Sequence, residues 1–308
     1  MKQIIQYIRK YFYELDKKHF LLTTSFVASL IFLNYYFALD KMINHQDSFL
    51  ASFFSRWIIF LIAFILPYAF YLLITQKNYF NDSLFILLII TAPALFSLKY
   101  VFRITLPLSD NASWNDYWNH IFYWPLLLLL FIVFLFIFRK IYYSNESFFG
   151  FTTQGFTWKP YLLMLLFMLP LIAAASSQPN FLAIYPKLQM ISGVYHDADI
   201  SWWHKLLFEL SYGCDFIGIE LFFRGFLVLA FIKWAGKDAI LPMACFYCTI
   251  HFGKPLGECI SSYFGGMLLG IVVYHTRSIV GGLIVHLGIA WLMELGGYIG
   301  ALSLTKGL

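Results

Sequence analysis

Residues 120–138 read HIFYWPLLLLLFIVFLFIF, without a single Asp, Glu, Lys or Arg. A helix rises 1.5 Å per residue, so this run would be about 28 Å long, close to the ~30 Å apolar core of a bilayer. It ends on Arg139 and Lys140, charges that a spanning helix leaves at the membrane surface. Similar runs lie at about 20–39, 57–75, 83–98, 160–177, 206–232, 239–253, 258–275 and 279–300. Those at 83–98 and 239–253 are short for a crossing, which puts the expected number of spans at eight to ten. The fold class that follows is all-α, a polytopic integral membrane helical bundle.

Composition excludes the other classes. Of 308 residues, 61% are apolar and 12% charged, and the chain holds 35 Phe, 21 Tyr and 9 Trp. A soluble globule of this size has too much surface to cover with so few charges, and a disordered chain carries far fewer aromatics. The formal charge of +5 does not point to nucleic acid, because the cations sit mainly at segment ends, where they meet the lipid bilayer. Ile4, Ile8, Tyr11, Phe12 and Leu15 recur at helical spacing among Lys2, Arg9, Lys10, Lys17 and Lys18. That pattern predicts an amphipathic helix on the membrane surface, leading into an uncleaved anchor. The excess of cations before the first span predicts a cytoplasmic N-terminus. Cys245 and Cys248 form a CxxC without a second pair, which reads as small apolar filler.

The chain divides in character near residue 155. Residues 1–155 place no acid inside a span and read as an amphipathic lead-in followed by scaffold helices. Residues 156–308 read as a packed core with an extramembrane loop at about 178–205, on the outer side, placed to cap or gate. Within 206–300 the chain puts Asp215, Glu220, Arg224, His251, Glu258, His286 and Glu294 at membrane depth, among many glycines. A charge at the bilayer centre costs about 2.5–3.5 kcal/mol, so such residues pair, line a cavity or act. Glu220 and Arg224 share a face of an α-helix at i,i+4 and could neutralise one another. His251 opens HFGKPLGE (251–258), where Gly and Pro break the helix and leave backbone that must face protein or water. A lone intramembrane His is often only a hydrogen-bond partner, but two His and a Glu on three helices could together hold and deprotonate a water.

IELFFRG (219–225), YCTIH (247–251) and GGLIVHLGIA (281–290) stand in this order along about 206–300. They resemble the three motifs of the CPBP intramembrane proteases, the family of the CaaX prenyl proteases and of bacterial bacteriocin-processing and self-immunity proteins. Three positions depart from that pattern. Ile219 stands where the family has a first glutamate, Tyr247 where it has Phe, and Ala290 where it has Asn or Asp. The resemblance implies an endopeptidase that hydrolyses a peptide bond of a membrane-associated protein or peptide substrate, in a bacterial inner membrane. Carried onto these positions, Glu220 is the general base, His251 orients the water, and His286 stabilises the oxyanion. Arg224 keeps Glu220 ionised. Glu258 and Glu294 are candidate supporting acids, Glu294 reaching back along its helix to His286. Two His and one Glu could also bind a divalent metal such as zinc, although no HExxH is present. The alternative is a family member without catalysis, a membrane peptide-binding, immunity or assembly factor. A proton-coupled transporter would instead require an internal repeat, which is not seen in the sequence.

Overall fold

The computed structural model describes residues 1–143, 148–197 and 200–306; the expected loop at 178–205 and the expected segment 1–155 therefore each include positions outside the described residues. The principal helices are α1 (Lys2–Glu14), α2 (Lys17–Phe37), α3 (Phe49–Thr75), α4 (Ser83–Val101), α5 (Ala112–Tyr142), α6 (Lys159–Ala175), α7 (Trp202–Glu220), α8 (Ile240–Thr249), α9 (Leu256–Thr276) and α10 (Val280–Lys306). Among the described residues there is no strand. The protein is an all-α, polytopic membrane helical bundle. Local chemistry sets the helix starts. Asp16, Ser48, Asp82 and Asn111 each place a side-chain oxygen on a backbone N–H of the first turn of α2, α3, α4 and α5. Gln76 and Arg277 turn the chain out of α3 and α9 in the left-handed region, at φ 62° and 57°.

Among the described residues, six helices are long and apolar enough to cross a membrane: α2, α3, α4, α5, α9 and the Val280–Leu302 part of α10. The short run at 83–98 extends to 19 residues as α4, while α6 has 17 and is shorter than a full crossing. Two expected spans take other forms. The run at 206–232 is not one α-helix: α7 ends at Glu220 and the chain continues through Leu221–Ala230 in π-helical pairing. The run at 239–253 contains α8, only ten residues, every one of them buried. At 1.5 Å per residue it is about 15 Å long, half a bilayer. Protein, not lipid, surrounds it.

The described chain divides into two compact units, residues 103–222 with 278–308, and residues 2–102 with 223–277. The sequence boundary expected near 155 lies within the first of these. In the first unit α7 packs on α5, and α10 packs on α6 and α7. The glycines of α10 explain the close approach to α6. A Cβ on Gly281 would meet the Tyr161 ring, and one on Gly288 would meet Leu165. Positions 281 and 288 are seven apart, so both lie on the face turned to α6. In the second unit α8 packs against α3 and α9. There Gly266 faces Tyr247 and Gly270 faces Met243, again where a side chain would not fit.

Candidate functional site

In the first unit, α7 is fixed to its neighbours before it reaches Glu220. Ser211 donates its hydroxyl to the Ile121 carbonyl at 2.7 Å, and the Tyr117 hydroxyl donates to the His204 carbonyl at 2.8 Å. Phe208 is fully buried in a cluster with Tyr117, Ile121, Leu188, Ile191 and Val194. The start of α10 is held from the other side: Ile279 N–H donates to the Gly150 carbonyl at 2.9 Å, and the Ser278 hydroxyl donates to Thr152. Between these anchors, Glu220 Oε1 accepts a hydrogen bond from His286 Nδ1 at 2.7 Å. The Glu220 side chain is completely buried and that of His286 is 12% exposed.

This contact has chemical consequences. A short hydrogen bond to a carboxylate in a shielded place is stronger than its counterpart in water. It fixes the imidazole's orientation and puts a proton on Nδ1, as neighbouring carboxylates do for catalytic and metal-bound histidines. Phe216, one turn before Glu220 on α7, meets the imidazole edge-on with ring centroids 4.9 Å apart. Phe216, Tyr212 and Ala290 form one buried cluster, against which Trp124 and Leu287 also pack. Aromatic side chains from α7 thus pack around the small Ala290. Phe216 and Tyr212 were not legible as site residues, because an aromatic in a span is the commonest thing this composition offers.

Glu294 is 2% exposed and lies on the same helix as His286. Its Oε2 accepts the Lys187 backbone N–H at 2.7 Å, so this oxygen serves the loop before α7. The carboxylate at His286 Nδ1 is that of Glu220.

Arg224, His251 and Glu258 belong to the second unit. Arg224 is completely buried in the π-helical segment, its guanidinium carbon 4.1 Å from the centre of the Tyr247 ring. A planar, weakly hydrated cation over an aromatic face is favourable where water is excluded. His251 follows α8 in a turn, its Nδ1 3.0 Å from the Tyr247 carbonyl. Glu258 sits in the first turn of α9 and pairs with Lys254 at 3.6 Å. An acid there also suits the positive end of the helix dipole.

The turn that carries His251 is held by helices that looked like plain scaffold. Asn34 of α2 donates to the Phe252 carbonyl at 3.0 Å, Tyr35 to Lys254 at 2.6 Å, and Tyr100 of α4 to Ile250 at 3.2 Å. Broken backbone at membrane depth must be satisfied by protein, and these three side chains do so. One signal was available in the sequence: Asn34 is an amide inside an apolar span, and such a residue needs a partner. Among the described residues no three His, Cys, Asp or Glu side chains come together as metal donors, and all four cysteines are free thiols.

Residues 202–292 match the family described as Type II CAAX prenyl endopeptidase Rce1-like. This bears out the resemblance to the CPBP membrane proteases, over the stretch that runs from the start of α7 into α10. No curated protein and no solved structure matches the chain. The matched family is one of membrane proteases, and the matched residues include Glu220, Arg224, His251 and His286.

Proposed function

We propose that the protein is an intramembrane endopeptidase in which Glu220 and His286 act as one acid–base couple on a peptide bond. The observation that carries this is the 2.7 Å contact between the buried Glu220 carboxylate and His286 Nδ1. In this scheme a water attacks the scissile carbonyl and gives its proton to the couple, with Glu220 as the base. The imidazole, held by Glu220, stabilises the charge that develops on the carbonyl oxygen, a role strengthened by low dielectric. The proton then passes to the leaving amine, which departs neutral. Substitution of His251 separately tests the water-orienting role that the resemblance gives it. The substrate class that suits this reading is a membrane-associated protein or peptide, cleaved where an apolar anchor brings it into the bilayer.

The test is incubation of the detergent-purified protein with native membrane proteins, with new termini read by mass spectrometry. Cleavage by the wild type, and a loss of 10²-fold or more in both Glu220→Gln and His286→Ala, is the expected result. Unchanged termini in the presence of folded wild-type protein would favour a membrane peptide-binding, immunity or assembly role. Cleavage that survives Glu220→Gln would overturn the assignment of the base.

A further inference from the structure

The second unit holds a groove of about 580 Å³ between α2 and α9 that the proposed chemistry does not use. Val27, Ala28 and Ile31 of α2 and Ile260 and Phe264 of α9 line its length. The volume falls within the roughly 300–1,000 Å³ of ordinary ligand sites. Both helices are long and apolar enough to cross a membrane, so the groove follows the direction of crossing, and the exposed Phe32, Ile260 and Phe264 open it to lipid. Inside it, Thr24 Oγ1 and the Tyr263 hydroxyl share a hydrogen bond at 3.1 Å, and the Tyr35 hydroxyl donates to the Lys254 carbonyl at 2.6 Å. With these hydroxyls engaged, the groove offers a ligand hydrocarbon.

The groove has the depth of one leaflet. On α2 it extends from Thr24 to Tyr36, about 18 Å of helix, against about 15 Å for half of the hydrocarbon core. Its shallow end coincides with helix ends on both sides: Tyr35 and Tyr36 stand in the last turn of α2, and Leu256 opens α9. Tyrosines at such a level mark the interface between membrane and water. At the same level Lys254 Nζ and a Glu258 oxygen lie 3.6 Å apart, both side chains partly exposed. Gly257 stands between these residues in the chain, and a Cβ built on it meets nothing within 4 Å. A trough one leaflet deep, topped by a cation and an anion side by side, complements an acyl chain whose headgroup carries a phosphate and an ammonium.

We propose that this groove is a binding site for one zwitterionic phospholipid, with an acyl chain between α2 and α9, its phosphate against Lys254 and its ammonium against Glu258. Lysine meets a phosphate as a point charge, and a headgroup of both signs leaves each partner of the existing ion pair compensated. Ala28, the smallest side chain in the trough, gives the chain its room. The bound lipid braces the turn that carries His251, because Tyr35 both lines the groove and holds that turn through the Lys254 carbonyl. The site does not depend on His251 being catalytic.

Native mass spectrometry of the full chain, released from nanodiscs of phosphatidylethanolamine and phosphatidylglycerol in equal parts, tests this. The wild type should keep a single phosphatidylethanolamine at collision energies that strip the remaining lipid, with severalfold less phosphatidylglycerol. Ala28→Trp fills the groove and should abolish the retained lipid, whereas Leu129→Trp, at an exposed position of α5, should keep it. A Lys254→Ala/Glu258→Ala double variant should still retain one lipid but take the two headgroups equally. The wild-type stoichiometry and headgroup ratio are read without any substitution, so a variant that fails to fold does not blunt the test. A wild type that retains no lipid, leaves as a lipid-free dimer or holds both headgroups equally overturns the site, as does retention unchanged in folded Ala28→Trp.

Discussion

Arg224 and Glu220 are both completely buried, but replacing them should have different costs. Glu220→Gln keeps the shape and a carbonyl that can still accept from His286 Nδ1. Arg224→Ala removes a guanidinium stacked 4.1 Å over Tyr247 and leaves a void beneath the ring. Loss of a desolvated cation–π contact together with a cavity amounts to about 3 kcal/mol or more. At matched expression, Arg224→Ala should give markedly less monodisperse protein and a lower unfolding temperature than Glu220→Gln. Equal yields and equal unfolding temperatures would mean that this cation contributes nothing to the fold. The sequence singled out Glu220, Arg224 and His286 by their cost in lipid, but it could not single out Phe216 or Tyr212. Their aromatic types are unremarkable in this chain, and only their neighbours give them a role.

At the scale of the element, Asp82 shows how a helix start couples to pH. A hydrogen bond from the Trp234 side chain, with the backbone N–H groups of Phe85 and Leu84, holds its carboxyl below the ordinary value of 3.8. A carboxylate depressed in the folded state binds its proton less readily than in the unfolded chain. Its stabilisation is therefore present above the ordinary value and is lost as pH falls through the lowered one. Asp82→Asn should unfold at a slightly lower temperature than wild type at pH 6, with the gap closing as pH is taken below 4. A gap that stays constant with pH would show that ionisation of Asp82 is irrelevant to α4. The expected span at 206–232 marks the limit of element reading: its apolar run is continuous, yet the chain leaves α-helical pairing at Leu221. Periodicity cannot reveal that, because burial on all sides removes the pattern that would distinguish one helical pitch from another.

At the scale of the whole molecule, each compact unit draws on separate stretches of chain. The second unit joins residues 2–102 to 223–277, and its α8 packs on α3 as well as on α9. The first unit needs α10 against α6 and α7, and α7 in turn packs on α5. A chain cut at 155 should therefore not yield two self-sufficient halves. Expressed separately, 1–155 and 156–308 should be degraded or aggregate; expressed together, they should copurify. A monodisperse 156–308 fragment would show that the late helices form their core without the early ones.

The sequence by itself determined the fold class, since a chain with 61% apolar and 12% charged residues has no stable state in water and one obvious state in lipid. It also determined which polar residues had to have a purpose, because the cost of burying charge is a property of the residue and the medium. Only the tertiary structure decided their partners. Glu220 found His286, sixty-six residues along the chain, and Glu294 found the Lys187 amide, more than a hundred residues earlier. Asn34 and Tyr35 of α2 found the carbonyls beside His251. Hydrophobic periodicity reports which face of a helix is buried, but the pairing of two buried polar groups depends on which helices touch and at what height. That is settled by glycine-lined contacts and broken turns distributed over the whole chain.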